Sequence, residues 1–287
     1  MESLRDGLSR ATPVCAPLVL NPLMAKMAEA AGFEALYLGG GGTGYAKVVL
    51  EANLNLTEMV QAGIDINTVT DLPLILDGAA GWGDPMHMHR TIGMAEAANF
   101  AAIELEDQIL PKRAHHHIGI EHMIPQELME AKVREAVAAR RNEEFIIIAR
   151  TNGIRSSNMD DALRRAEGYR KAGADVLLLL PRNVEEVRHI GERLGPPLMY
   201  LSPPGGLKHI GLSMEEMGTL GYRIIVDPST PLLAAFEAMA ASYKELAKDF
   251  MDDSRPLEAW HELERQLHDT IEINKLLSIE KGTVEKE

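Results

Sequence analysis

The chain has one cysteine, Cys15, in 287 residues. An intramolecular disulfide cannot form, and a zinc site built on cysteines is excluded. Cations are scarce as well: 29 Lys and Arg face 43 Asp and Glu, a formal net charge of −14. That field repels a phosphate backbone or an anionic membrane, so neither nucleic acid nor membrane is an expected partner. A small anionic substrate must instead be held by a local cluster of Arg, Lys, backbone N–H or metal. No apolar run approaches the roughly 18 residues of a membrane helix. The opening "MESLRDGLSR" lacks the apolar core of a signal peptide. The expected setting is the cytoplasm.

The material for a large core is present. Hydrophobic residues make up 46% and charged residues 25%, which suits a soluble chain with a sizeable interior. A length of 287 is ordinary for an α/β barrel. Eight short apolar runs recur: 16–20, 34–38, 72–77, 101–106, 145–150, 175–180, 197–201 and 223–227. Each is nearly continuous in apolar character, as strands buried on both faces of a parallel sheet are. Amphipathic stretches of helical length separate them, clearest at 22–32, 125–141 and 158–174. "AEAAGFEALYL", "AEAANFAAIEL" and "YRKAGADVLLL" share one design, a helix end, then Gly or Asn, then a strand. Gly and Asn end helices in the left-handed conformation. Eight such units predict a (β/α)8 TIM-type barrel; a doubly wound sheet, the competing arrangement, usually has fewer strands. The expectation is one barrel domain over 1–287, in which 250–287 forms a charged, helical C-terminal extension.

In a barrel the reactive groups sit at the C-terminal ends of the strands. Here those ends carry "GGGGTGY" at 39–45, Asp77, Glu106 with Asp107, Arg150 followed by "TNG", Ser202 and Asp227. Asp77, Glu106 and Asp107 supply hard oxygens suited to Mg²⁺ or Mn²⁺, or else cap helices and pair with arginines. The glycine run permits close backbone approach to an oxyanion, or is a surface turn. Arg150 after "FIII" needs a carboxylate, from substrate or protein. His115, His116 and His117 are adjacent and cannot all face one ion; one of them as hydrogen-bond donor or proton carrier is the stronger reading.

"LYLGGGG", "LPLILDGAAGWG", "IELEDQILPKRAHH" and "FIIIARTNG", in that order over residues 10–240, resemble the isocitrate lyase/phosphoenolpyruvate mutase superfamily, in its methylisocitrate lyase-like branch. The resemblance implies a (β/α)8 barrel with a helix exchanged between subunits, a dimer or tetramer, bound Mg²⁺, and 2-oxo or 2-hydroxy carboxylate substrates. It implies metal-shell roles for Asp77, Glu106 and, more loosely aligned, Glu51. It implies that Tyr37, Gly40, Gly41, Arg113 and Arg150 bind substrate, and that Lys112, His116 and Arg150 are catalytic, with Lys112 to His116 on a mobile loop. The chain departs from the pattern at several places. Ala79 stands for a second aspartate after strand three, Gly39 for a serine, Ala114 for the lyase's acid cysteine, and His115 for a glycine; the glutamate after strand six is absent. The expected activity is a Mg²⁺-dependent carbon–carbon lyase working through an enolate without that cysteine. The alternatives are an oxaloacetate-type decarboxylase or oxo-acid hydrolase, and a metal-independent or non-catalytic barrel.

Overall fold

A computed structural model describes residues 3–285. Eight strands form a parallel sheet: β1 (Val14–Pro17), β2 (Leu36–Leu38), β3 (Leu74–Asp77), β4 (Ala102–Glu106), β5 (Ile146–Thr151), β6 (Val176–Leu179), β7 (Leu198–Leu201) and β8 (Tyr222–Asp227). Their order in the sheet is β1-β8-β7-β6-β5-β4-β3-β2. A bridge between Leu18 and Tyr37, with Val19 N–H donating to the Tyr37 carbonyl at 2.9 Å, brings the two edges together. The result is a (β/α)8 TIM barrel, and all eight predicted strands are present.

Thirteen helices accompany them among the described residues: α1 (Leu4–Gly7), α2 (Pro22–Ala30), α3 (Gly40–Ala46), α4 (Leu56–Asn67), α5 (Met88–Ala97), α6 (Gln126–Ala139), α7 (Gly153–Ser156), α8 (Met159–Lys171), α9 (Val184–Leu194), α10 (Met214–Thr219), α11 (Thr230–Leu246), α12 (Leu257–Thr270) and α13 (Ile273–Thr283). Asparagines start several of them. Asn21, Asn55, Asn158 and Asn183 each accept from the backbone N–H three residues on, satisfying a donor the helix leaves open. The repeated helix ends behave as their sequence predicts. Gly32, Asn99 and Gly173 all lie at positive φ, of 88°, 60° and 110°, and turn the chain from helix into strand.

Alternation along the strands divides the core into two layers. Leu36, Leu38, Leu74, Leu76, Ile103, Leu105, Ile147 and Ala149 pack outward into the cluster shared with the helices. Their neighbours point into the barrel, where Ile75, Ala102, Ile146 and Ile148 fill the base. Nearer the C-terminal rim the inward residues turn polar: Tyr37, Asp77, Glu104, Glu106 and Arg150 are all buried there.

The chain divides into two compact units, Met1–Pro231 and Leu232–Glu287. The first holds the barrel. The second holds most of α11, with α12 and α13; none of these three helices buries a side chain. No helix of the described residues is long and apolar enough to cross a membrane.

Candidate active site

At the C-terminal rim, β3, β4 and β5 bring charge into the barrel. Glu104 and Glu106 stand two apart on β4, so both point inward; Arg150 lies in register with Glu106 on β5. Arg150 Nη1 donates to Glu104 Oε1 at 2.8 Å, and its Nε lies 3.3 Å from Glu106 Oε2. Asn152 accepts from Arg150 Nη2 at 3.2 Å and donates to Glu106 Oε2 at 3.0 Å. Tyr37, 2% exposed, donates its hydroxyl to Glu104 Oε2 at 3.1 Å.

Asp77 ends β3. Its carboxylate accepts from Gly40 N–H at 2.8 Å and from Ala79 N–H at 3.0 Å. Gly40 opens α3 at a close approach: a Cβ there would lie 2.8 Å from Glu51 Cγ and 3.1 Å from Asp77 Oδ2. Only glycine lets this backbone reach the carboxylates. The glycine run is therefore helical, not a loose turn. Glu51, on the short segment following α3, bonds Lys112, and Lys112 Nζ lies 2.5 Å from Glu106 Oε1.

Lys112 comes from the β4–α6 loop, whose neck is closed by a bridge between Gln108 and Met123. Backbone bonds from Ile109 N–H to the His122 carbonyl and from Ile124 N–H to the Asp107 carbonyl flank that bridge. Lys112 is buried, while the next two residues, Arg113 and Ala114, are exposed. Arg113 is thus the one predicted binding residue that the structure leaves outside the cluster. The three histidines diverge, as their adjacency requires. His115 Nδ1 sits 3.3 Å from His122 Nε2, His116 Nδ1 sits 2.7 Å from Glu121 Oε2, and the His117 ring faces Tyr45. Asp107 does not join the carboxylates. The alternation that sends Glu106 inward sends Asp107 outward, where it accepts from Thr151 at 2.6 Å and Tyr169 at 2.8 Å and lies 3.5 Å from Arg165.

The electrostatics follow from this crowding. Four buried carboxylates, Glu51, Asp77, Glu104 and Glu106, meet two buried cations, Lys112 and Arg150, an excess of two negative charges when all six are ionised. Burial, then Asp77, pushes the Glu104 carboxyl up to about 7 against the opposing pull of Arg150. Burial and Asp77 also raise Glu51. Glu106 is buried too, yet Arg150, Lys112 and His116 outweigh that and hold it below the usual carboxylate range. Burial disfavours the Lys112 ammonium, but Glu106 and Glu51 reverse the effect and raise it.

A hard divalent cation fits this donor set. It would cancel the charge that Lys112 and Arg150 leave uncompensated among the buried carboxylates. Among the described residues, no three His, Cys, Asp or Glu side chains converge closely enough to ligate one ion together. An ion of the Mg²⁺ type needs only one or two carboxylates and keeps several waters. Asp77 would be its direct ligand, with Glu51 and Glu106 holding its waters.

The loop after β3 is held in unusual backbone. Ala79 and Trp82 have φ of 45° and 54°, sparsely populated for residues with a Cβ. Such outliers cluster where a loop must present groups to a site. Trp82 Nε1 donates to the Leu54 carbonyl at 3.1 Å, and buried Lys132 of α6 bonds the Ala80 carbonyl from below.

The phosphoenolpyruvate phosphomutase family model matches residues 4–247. The chain belongs to the phosphoenolpyruvate phosphomutase family. A 2,3-dimethylmalate lyase of Eubacterium barkeri is 33% identical over 252 residues, covering 86% of each chain. A 2-methylisocitrate lyase of Vibrio cholerae is 37% identical over 244 residues, covering 81% of this chain and 77% of that one. Among solved structures, a phosphonopyruvate hydrolase in complex with oxalate and Mg²⁺ superposes with a TM-score of 0.84 at 25% identity, covering 98% of both chains. Against this family background, sequence reasoning missed Glu104, Gln108, Glu121 and Lys132. Glu104 had a readable signal: a charge inside an apolar strand, two residues from Glu106 and so on the same face.

Proposed function

We propose that this chain is a carbon–carbon lyase acting on a 2-hydroxy or 2-oxo dicarboxylate through an enolate, with Mg²⁺ or Mn²⁺ as cofactor. The observation that carries the reading is the buried excess of negative charge around Asp77, placed beside a fixed arginine at the strand ends. Bound there, the ion would supply Lewis-acid stabilisation of developing oxyanion charge. Arg150 is anchored by Glu104, Glu106 and Asn152 yet keeps an N–H on each Nη for a substrate carboxylate. Tyr37 holds Glu104 in place from the other side. Gly41 is the next backbone N–H after Gly40, whose own is taken by Asp77.

Cleavage of a 2-hydroxy acid would pass the hydroxyl proton to one of the buried carboxylates around Asp77, break the C2–C3 bond, and leave the electron pair as an enolate that needs a proton at carbon. Ala114 cannot give that proton. Lys112 is held by two carboxylates, which raise it above its ordinary range, so it serves as fixed positive charge. The proton falls to His116, oriented by Glu121 and Gln108 on the same loop. Lys112 and His116 would arrive together as the loop closes.

A second reading, decarboxylation of an oxaloacetate-type β-keto acid, is favoured by Ala114, since solvent can protonate that enolate. The two differ in products. With Mg²⁺ and a substituted malate, the lyase releases a 2-oxo acid and a second carboxylic acid. Release of CO2 from oxaloacetate, with no cleavage of any malate, would replace the first reading by the second.

We also infer an oligomer in which α11 packs on a neighbouring subunit. Leu233, Phe236, Met239 and Tyr243 recur along one face of α11, and all four are exposed.

A further inference from the structure

Beside the carboxylate cluster lies a cavity of about 370 Å³. Its walls come from three segments: the stretch carrying Glu51, Ala52 and Leu54, the loop with Ala79, Ala80 and Trp82, and the start of the β4–α6 loop at Leu110 and Pro111. Two charged side chains line it, Glu51 and Lys112, and they are bonded to each other; Lys112 also reaches Glu106 of the carboxylate cluster. The other side chains that line it are of hydrophobic type. The wall is braced: Trp82 is tied to the Leu54 carbonyl, and the Ala80 carbonyl is held by Lys132. Alanines at 52, 79 and 80 leave the space open, where an acid at 79 would put a further carboxylate two residues from Asp77.

We propose that this cavity is the subsite for the substrate's C3 substituent, and that the substituent is an uncharged alkyl or aryl group of several carbons. The assignment rests on the proposed lyase reading, because it places the reacting carbons at the Asp77 and Arg150 end. A third carboxylate on the substrate would meet Glu51 there, with the cavity's one cation already paired to it. A hydrocarbon meets Leu54, Trp82 and Leu110, and gains by leaving water. A volume of about 370 Å³ falls within the range of small-molecule sites and leaves room beyond a methyl group.

The test uses malate, 3-methylmalate, 3-ethylmalate, 3-propylmalate and isocitrate, the last being malate with a carboxymethyl group on C3. Binding to the Mg²⁺-loaded protein is read from the thermal midpoint, which needs no turnover, and cleavage is read separately as 2-oxo acid released. Apparent Kd should fall about fourfold per added methylene, with isocitrate weaker than 3-ethylmalate. Ala52→Leu should flatten that chain-length dependence; if it fails to fold, the wild-type series decides alone. Binding that strengthens with chain length but no cleavage of any acid would uphold the subsite and remove the lyase reading. Cleavage with affinities independent of chain length, or with isocitrate bound tightest, would overturn the subsite and leave the lyase reading. If none of the five raises the midpoint, both fall.

Discussion

On the proposed function, Lys112 would tie together stability, metal binding and catalysis. It lies between Glu51 and Glu106, and its removal leaves two buried carboxylates less compensated. Lys112→Met should destabilise the metal-free protein by about 3 kcal/mol. It should also tighten Mg²⁺ binding, because the charge excess around Asp77 grows. Calorimetric titration of Mg²⁺ checks the second effect; weaker metal binding in the variant would contradict it. A different lysine sets a pH dependence. Burial pulls Lys132 down to about 8 from its ordinary 10.5, although Asp84, Glu106 and Asp107 act to raise it. Between those pH values the unfolded chain holds a proton the folded chain has lost, so folding is favoured more as pH rises. Relative to Lys132→Met, wild-type stability should climb by about 3 kcal/mol from pH 8 to 10.5, as measured by urea unfolding. At this scale the sequence was legible where a charge ended an apolar run: Asp77, Glu106 and Arg150 were found that way. Glu104 and Lys132 were hidden, one by its strand and one by an ordinary helical pattern.

Among the elements, the β4–α6 loop is the piece that the proposed reaction would require to open and close. It is joined to the barrel through its paired neck at 108–109 and 122–124, and its short helical turn ends at Gly119 with φ of 77°. Nothing lies within 4 Å of a Cβ built at Gly119, so a substitution there meets no clash and acts through backbone strain alone. Gly119→Val should therefore lower kcat several-fold while costing about 1 kcal/mol of global stability. A variant with unchanged kcat would show that the loop does not gate the reaction. The strands and the left-handed helix ends were legible because each rests on a local rule: apolar run length, or Gly and Asn at a helix terminus. The helical form of 40–46 was not, since glycines disfavour helix and only the Gly40–Asp77 bond and the Glu51 contact explain it. The inward turn of Lys112 was equally unreadable, being fixed by pairing across 61 residues with Glu51.

For the whole molecule, the second unit is the unexplained surface. Phe236, Tyr243, Leu276, Leu277 and Ile279 are each more than 45% exposed, more apolar surface than a lone soluble chain usually shows. Light scattering on the purified chain should give a dimer or tetramer, and Leu233→Asp with Phe236→Asp should shift it toward monomer. A monomeric wild type would rule out packing of α11 on a neighbouring subunit.

On the proposed function, the acids around Asp77 hold a divalent cation for an enolate-forming reaction. The most direct test is the thermal midpoint with Mg²⁺ or Mn²⁺, then with oxalate added, for wild type and Asp77→Ala. A ligand bound only to the folded state raises the midpoint, by roughly 2.7 kcal/mol of stability at a hundredfold excess over Kd. Metal should stabilise the wild type, oxalate should add to this only when metal is present, and Asp77→Ala should lose both responses. An unchanged wild-type midpoint, or an oxalate response indifferent to metal and to Asp77, would contradict the proposed function.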